Sequence, residues 1–261
     1  MTTRIITGAV LAVLAVVLVV HGGLLFWLVM LALALLSLNE VYRLTRTYRP
    51  LPLAGFIAVA LMLYMAWYRS PLGIMGAIAV GFLLTALLGL AWGPKHGVTV
   101  RMAVTMFGFL YVGLGFSAIV MLRPLDGDGL ILLTVLFGTW AGDTMAYFTG
   151  KYFGATPMAP VLSPKKTWEG FAGGAISTIL VVVFIGFIYA HLSAGGALFL
   201  GAVIAVVAPL GDLFESLVKR DVQIKDSGRG LPGHGGVLDR FDALLWASVA
   251  SYFVLKVALG V

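Results

Sequence analysis

Two groups of acidic residues flank a glycine-rich stretch near the end of this 261-residue chain. Asp212 and Glu215 close one apolar run, and Asp239 and Asp242 open the next. Residues three or four positions apart share a face of a helix, so Ser216 joins the first group and the second pair has a face of its own. The sequence therefore predicts two helix ends that each present a cluster of oxygen atoms.

These carboxylates admit two interpretations. Mg²⁺ typically binds one or two carboxylates together with substrate phosphates and water. That chemistry predicts a metal site shared by Asp212 and Asp239, with support from Asp242 and Ser216. Ion pairs that hold helices together would use the same acids with the neighbouring basic residues Lys219, Arg220 and Arg240. Spacing alone leaves both interpretations open.

The stretch between the two acidic groups, residues 228–236, is too rich in glycine for a helix. Glycine permits positive φ angles and lets backbone N–H groups converge on an anion, although an ordinary turn uses the same residues. The position between a basic cluster and an acidic pair favours a phosphate-binding loop.

Two earlier stretches also carry polar groups of interest. Asp143 and Tyr147 lie one helical turn apart inside an apolar run, where an acid indicates function and a hydrogen bond between helices is the alternative. Ser163-Pro164 has the form of an N-cap and predicts a helix with Lys165 and Lys166 in its first turn. Such a helix start binds phosphate, whereas lysines that fix topology or touch anionic lipid would show the same pattern.

The composition excludes an ordinary soluble domain. Hydrophobic residues make up 61% of the chain and charged residues 11%, and the mean hydropathy is +1.06. The absence of cysteine excludes disulfides and thiolate metal sites. The net charge of +6 comes from basic residues in short loops between apolar runs, which indicates membrane topology and no nucleic-acid partner.

Nine apolar runs predict an all-α, polytopic membrane bundle that forms one membrane domain over residues 1–261. A spanning helix needs about 17 to 25 residues. The first run lacks a signal-peptide cleavage site and is counted as a helix. The runs fall near residues 5–20, 24–39, 52–68, 72–91, 102–122, 129–149, 170–191, 196–213 and 240–258.

The placement of charged residues predicts the orientation of the bundle in the membrane and a different role for each half of the chain. Fourteen of the seventeen Lys and Arg residues fall on one side, which predicts a cytoplasmic N-terminus and a C-terminus outside. Residues 1–125 contain only one acid, Glu40, and are expected to be scaffold or lipid contact. Residues 126–261 contain the other ten acids and are expected to be catalytic. The connection of roughly 214–238 is long for a bundle, which indicates function.

The stretch from Ser216 to Asp242 resembles the signature of the phosphatidate cytidylyltransferase, or CDP-diacylglycerol synthase, family. The matching residues are Ser216, Lys219-Arg220, Lys225-Asp226, Pro232-Gly233-His234-Gly235-Gly236 and Asp239-Arg240-Phe241-Asp242. A second stretch, Ser163 to Gly170 with Asp143, Tyr147 and Gly150 upstream, is similar to the family's other block. The two stretches cover roughly a quarter of the chain, and so long a match is more specific than any short motif.

The resemblance implies transfer of a cytidylyl group from CTP to phosphatidate, which gives CDP-diacylglycerol and pyrophosphate. It implies two metal ions held at Asp212 and Asp239, one of them Mg²⁺ and the other divalent or monovalent. The expected catalytic residues are Asp212, Ser216, Lys219, Arg220, His234, Asp239 and Asp242. The expected substrate contacts are Asp143, Tyr147, Ser163, Lys165, Lys166, Lys225, Asp226, Gly233, Gly235, Gly236 and Arg240.

His234 is expected to orient or stabilise a phosphate, with a structural role as the alternative. The phosphate of phosphatidate is already largely anionic near neutral pH, its second pKa being about 6, so a strong base is not required. The resemblance also implies a homodimer in the inner membrane, in contact with lipid and with its site facing the cytoplasm.

Three other functions fit the pattern less well. A CDP-alcohol phosphotransferase has an acidic series that begins Asp-Gly and ends in two aspartates four apart, which this sequence lacks. A cation-coupled transporter also has acids and interrupted helices in its spans, but here the charges gather on one side. A structural or lipid-scrambling protein leaves the Gly-His-Gly-Gly segment unexplained.

Overall fold

The computed structural model describes residues 2–94, 96–223 and 236–261, with side chains from residue 8 onward. Most of these residues are helical, so the expected all-α membrane bundle is confirmed. The helices are α1 (Thr2–His21), α2 (Gly23–Leu44), α3 (Pro52–Trp67), α4 (Pro71–Trp92), α5 (Val98–Leu122), α6 (Leu130–Phe153), α7 (Trp168–Ile188), α8 (Ala194–Asp221) and α9 (Leu238–Phe253). A short 3₁₀ helix (Arg46–Tyr48) follows α2, and a π-helical turn (Val254–Ala258) extends α9.

Seven helices within the described ranges are long and apolar enough to cross a membrane: α2, α4, α5, α6, α7, α8 and α9 with its π-helical extension. Two further helices are apolar but shorter: Gly8–His21, which is the part of α1 whose side chains are described, and α3. Each of the nine predicted runs therefore falls on its own helix.

Local sequence explains where several of these helices begin. Proline stands at the start of α3 and α4, where its missing N–H would have no partner inside the helix. Three helices begin after a side chain whose oxygen accepts a hydrogen bond from the N–H three residues on: Ser70 for α4, Thr167 for α7 and Ser193 for α8.

The helices pack as two groups. Helices α2 to α5 lie against one another, as do α6 to α9, and the contact of α5 with α9 is the main junction between them. Phe116 of α5 is buried at this junction, with 5.1 Å between its ring centroid and that of Phe241 in α9. Gly115 of α5 lies so close to α9 that a Cβ there would be 2.6 Å from the Leu245 side chain. The two halves of the chain therefore meet at the helix that carries Asp239 and Asp242.

The tightest helix contact is that of α6 with α7, and small residues allow it. A Cβ on Gly174 would lie 2.8 Å from the carbonyl oxygen of Gly142. The Thr178 hydroxyl donates to the carbonyl oxygen of Gly138 at 3.1 Å. This close approach places Asp143 of α6 beside the first turns of α7.

The predicted helix start at Ser163-Pro164 is wrong. Strands β1 (Pro157–Ala159) and β2 (Ser163–Thr167) form an antiparallel hairpin, and α7 begins only at Trp168. Two contacts fix this later start, because Thr167 caps the helix and Glu169 accepts hydrogen bonds from the N–H groups of Ala155 and Thr156, both at 3.2 Å. Lys165 and Lys166 therefore lie on an extended strand and not in a first helical turn.

The predicted connection of residues 214–238 is also too long, because α8 continues to Asp221. Glu215 and Lys219 pair one turn apart on this extension and stabilise it. The linking segment is thus residues 222–237. Five predicted site residues on it lie outside the described part of the chain: Lys225, Asp226, Gly233, His234 and Gly235.

Candidate active site

A cavity of about 320 Å³ lies between α6, α7, α8 and the hairpin. Its charged lining comes from Asp143, Lys165, Lys166 and Asp212, and Tyr147 lies beside them. The lining becomes apolar along α7 and α8 away from the hairpin, through Gly174, Ala175, Ala205 and Ala208. The cavity therefore has a charged end and an apolar end.

Pro209 adds a polar group to the apolar wall. Proline has no N–H, so the carbonyl oxygen of Ala205 lacks the donor that the fourth following residue normally supplies in a helix. Both residues line the cavity. This leaves a backbone acceptor seven residues, or about two helical turns, before Asp212.

Lys166 and Asp212 form an ion pair at the charged end, with 2.6 Å between Nζ and Oδ2. The pair joins the hairpin to α8, and Lys166 also lies close enough to Asp143 for their charges to attract. One lysine is thus shared between acids from two helices. The same ammonium group is placed to meet a phosphate in the cavity.

A second ion cluster adjoins the cavity, where α8 meets the start of α9. Lys219 Nζ lies 2.8 Å from Glu215 Oε2 and 2.8 Å from Asp239 Oδ1. The other oxygen of Asp239 accepts the N–H of Gly236 at 2.8 Å. The Glu215 and Asp239 side chains are only 1% and 13% exposed, so Lys219 neutralises two largely buried carboxylates.

Lys219→Met is expected to lower the free energy of unfolding by about 3 to 5 kcal/mol, because removing one member of a buried ion pair leaves charge without compensation. Thermal unfolding in detergent measures the change. Lys256→Met is the matched control, since Lys256 is exposed and its ammonium group donates to the backbone oxygen of Val261. Equal unfolding temperatures for the two variants would contradict the role given to Lys219.

Asp242 links the ion cluster to the cavity. Its carboxyl group contacts that of Glu215 and lies close enough to Asp212 and Asp143 for their charges to repel. The helices approach closely here, since a Cβ on Gly211 would lie 2.7 Å from the Asp242 carbonyl oxygen. Four acids from α6, α8 and α9 therefore surround one small region.

This region suits a cation, although the acids do not enclose one by themselves. Within the described ranges no three acidic or histidine side chains converge closely enough to hold a metal ion. The predicted set of Asp212, Asp239 and Asp242 is therefore not a complete cage, because Lys166 and Lys219 pair with two of its members. Glu215 Oε1 is buried without a donor among these residues. The Glu215 carboxyl group contacts that of Asp242, and two carboxyl groups in contact favour a cation or a shared proton between them.

The remaining predicted residues surround this centre. Ser216 is half-buried one turn after Asp212, and Arg220 is exposed and donates to the Leu162 carbonyl oxygen of the hairpin at 3.5 Å. Ser163 opens β2 opposite Ala159, outside the cavity lining. Arg240 is exposed in the first turn of α9.

Sequence reasoning missed two residues of the first half. The hydroxyl group of Tyr111 in α5 is buried without a partner among the described residues and lies near the charges of four acids: Asp212, Glu215, Asp239 and Asp242. Its ring packs on Phe214 of α8, with 5.2 Å between ring centroids. Glu40 of α2 accepts hydrogen bonds from the N–H groups at the start of α9. The sequence offered one indication for Glu40, since it is the single acidic residue in the first half of the chain. Nothing in the sequence spacing singles out Tyr111.

Comparison with known proteins matches residues 2–258 to the cytidylyltransferase family. The chain belongs to this family. A phosphatidate cytidylyltransferase of Bacillus subtilis (strain 168) is 35% identical, over 98% of this chain and 97% of its own length. Relatives with the same name in Staphylococcus epidermidis and Mycobacterium bovis are each 34% identical, over 94% and 97% of this chain and 95% and 89% of their own lengths. Membership of the cytidylyltransferase family confirms the resemblance and the expectation of a nucleotidyltransferase.

Proposed function

We propose that this protein transfers a cytidylyl group from CTP to phosphatidate, giving CDP-diacylglycerol and pyrophosphate. The observation that carries the proposal is the cavity with ionic groups at one end and apolar walls at the other. A nucleotide alone needs no apolar extension, and a lipid alone needs no cluster of acids and lysines. The family and the names of the relatives support the same two substrates.

In the proposed reaction a phosphate oxygen of phosphatidate attacks the α-phosphorus of CTP. A new bond forms between this oxygen and the α-phosphorus. The bond between the α-phosphorus and the oxygen that bridges to the β-phosphorus breaks, and pyrophosphate leaves with that electron pair. Both reactants are anions, so the protein must mainly position them and neutralise their charge. Lys165 and Lys166 contribute positive charge at the cavity, Lys219 contributes it beside α9, and Arg220 contributes it beside the hairpin.

The oxygen donors fit Mg²⁺, which uses one or two carboxylates and completes its shell with phosphate and water. We propose Asp212, Asp239 and Asp242 as the candidate ligands, and the buried Glu215 Oε1 points to the same region. Magnesium would supply positive charge to the phosphates and the leaving oxygen. A second ion and the roles of Ser216 and His234 stay predictions.

The location and assembly follow from the same proposal. Phosphatidate keeps its acyl chains in the bilayer, which suits the apolar end of the cavity and an enzyme embedded in a bacterial inner membrane. The excess of Lys and Arg at the end of the bundle that carries the site supports a cytoplasmic orientation. The homodimer rests on the resemblance alone.

Purified full-length protein should convert phosphatidate and labelled CTP into labelled lipid when Mg²⁺ is present. Released pyrophosphate should match the labelled lipid one for one. Removal of divalent ions with EDTA should stop the reaction, and added Mg²⁺ should restore it.

Two results would count against these proposals separately. If the folded, unchanged protein forms no labelled lipid from CTP and phosphatidate, the proposed function is excluded. Undiminished labelling in EDTA would leave the transfer in place and exclude the proposed metal.

A further inference from the structure

Glu40 connects the first half of the chain to the start of α9. It is the one acidic residue among residues 1–125, and it lies near the end of α2 with a relative exposure of 7%. Its Oε1 accepts the N–H of Val237 at 2.9 Å, and its Oε2 accepts the N–H of Leu238 at 2.8 Å. These bonds cross 197 and 198 positions of sequence.

Within the described residues 236–261, the residue at the N-cap position of α9 makes no side-chain cap. Val237 stands at the cap position with a helical backbone and a side chain without oxygen. The first N–H groups of a helix need acceptors, and a negative charge at that end is favoured by the helix dipole. Glu40 supplies both from another helix, in a place where Val237 and Leu238 are 5% and 1% exposed.

The capped residues lie directly beside the proposed metal ligands. Leu238 precedes Asp239, whose Oδ2 accepts the N–H of Gly236 and whose Oδ1 pairs with Lys219. Asp242 follows one turn later. The direction in which both aspartates leave the helix therefore depends on how the first turn of α9 is held.

We infer that Glu40 is a positioning residue for the reaction: it fixes the first turn of α9 and thereby sets Asp239 and Asp242 against Lys219 and Asp212. The inference rests on the proposed function. A carboxylate suits this role because it offers two acceptor oxygens to two adjacent N–H groups. Glutamine offers one acceptor and would place an N–H₂ group against the second donor.

The chain contains a matched case at the opposite end of the bundle. Asp126 accepts the N–H groups of Gly129 and Ile131, at 2.7 and 2.6 Å, at the start of α6. Its chemistry is the same as that of Glu40, but at 1.5 Å per residue the nearest cavity-lining residue of α6, Thr139, lies about 12 Å beyond Ile131, and the charged residue Asp143 lies about 18 Å beyond it. Asp126→Asn therefore removes an equivalent cap without touching the site.

The experiment compares Glu40→Gln, Asp126→Asn and the unchanged protein by hydrogen exchange and by steady-state kinetics. In Glu40→Gln we expect faster exchange in peptides that cover residues 236–243 and a fall in kcat of about ten- to a hundredfold, the cost of a misplaced catalytic group. The KM for CTP should change less than about threefold, because the hairpin lysines are not disturbed. Glu40→Asp, which keeps both oxygens, should recover part of kcat.

Asp126→Asn should show faster exchange only at the start of α6 and near-normal kcat. Equal loss of kcat in Glu40→Gln and Asp126→Asn would reduce Glu40 to a general stabiliser and overturn the inference. Unchanged exchange at residues 236–243 in Glu40→Gln, or changed exchange with normal kcat, would overturn it as well. If the unchanged protein forms no labelled lipid, the proposed function fails, and the catalytic part of the inference fails with it.

Discussion

Asp212→Asn is expected to lower the rate of cytidylyl transfer by about a hundred- to a thousandfold, the range seen when one group that stabilises a charged transition state is removed. Asp212 lines the cavity, pairs with Lys166 and lies near Asp242, so one substitution removes a candidate metal ligand and the partner of a lysine. Transfer of label from CTP to phosphatidate measures the rate.

The same variant should remain folded. Lys166 and Asp212 are 26% and 37% exposed, and ion pairs that solvent reaches contribute only about 0 to 1 kcal/mol to stability. Asp128→Asn is the control, since Asp128 is exposed in the loop before α6 at the other end of the bundle. Normal transfer by Asp212→Asn would remove Asp212 from the proposed site, whereas loss of folding would show that its main role is structural.

Gly211→Ala is expected to reduce both activity and stability although it adds a single methyl group. The new Cβ would lie 2.7 Å from the Asp242 carbonyl oxygen and 2.9 Å from the Trp246 ring, so α8 and α9 must move apart. Overpacking of this kind costs about 1 to 3 kcal/mol. The shift would also separate Asp212 from Asp242, and misplacement by 1 Å lowers rates by about a hundredfold.

Gly195→Ala provides the comparison for this substitution. Gly195 lies in the same helix, and a Cβ there would meet nothing within 4 Å. The expected result is normal transfer and an equal or slightly higher unfolding temperature, because alanine favours helix more than glycine does. If both variants keep full activity, the closeness of α8 and α9 does not set the geometry of the site.

The sequence predicted the helices well because membrane spans depend on composition over some twenty residues. Each apolar run became a helix. The spacing of Asp143 and Tyr147 correctly placed both side chains on one face, and both line the cavity.

Local patterns failed where contacts between distant segments decide the outcome. Ser163-Pro164 has every local feature of a helix start, but hydrogen bonds from Ala155 and Thr156 to Glu169 favour the hairpin instead. The end of α8 was placed too early because apolar content falls after residue 213, while the pairing of Glu215 with Lys219 continues the helix.

The division into scaffold and catalytic halves was drawn from the distribution of acids, and it overlooked contributions across the boundary. Glu40 and Tyr111 belong to the first half, yet both reach the start of α9 or the acids around it. No spacing rule connects positions nearly two hundred residues apart. Only the packing of α2 and α5 on α9 brings these side chains to the site.

The unbroken course of α8 from Ala194 to Asp221 has a consequence for turnover. One continuous helix carries four polar residues near its end, and the apolar part of the same helix packs in the bundle. These residues are Asp212, Glu215, Ser216 and Lys219. Their conformational entropy is lost when the protein folds and not each time substrates arrive, so the groups proposed for the reaction are preorganised. A chemical centre at the rim of a membrane can in this way be as rigid as one inside a soluble enzyme.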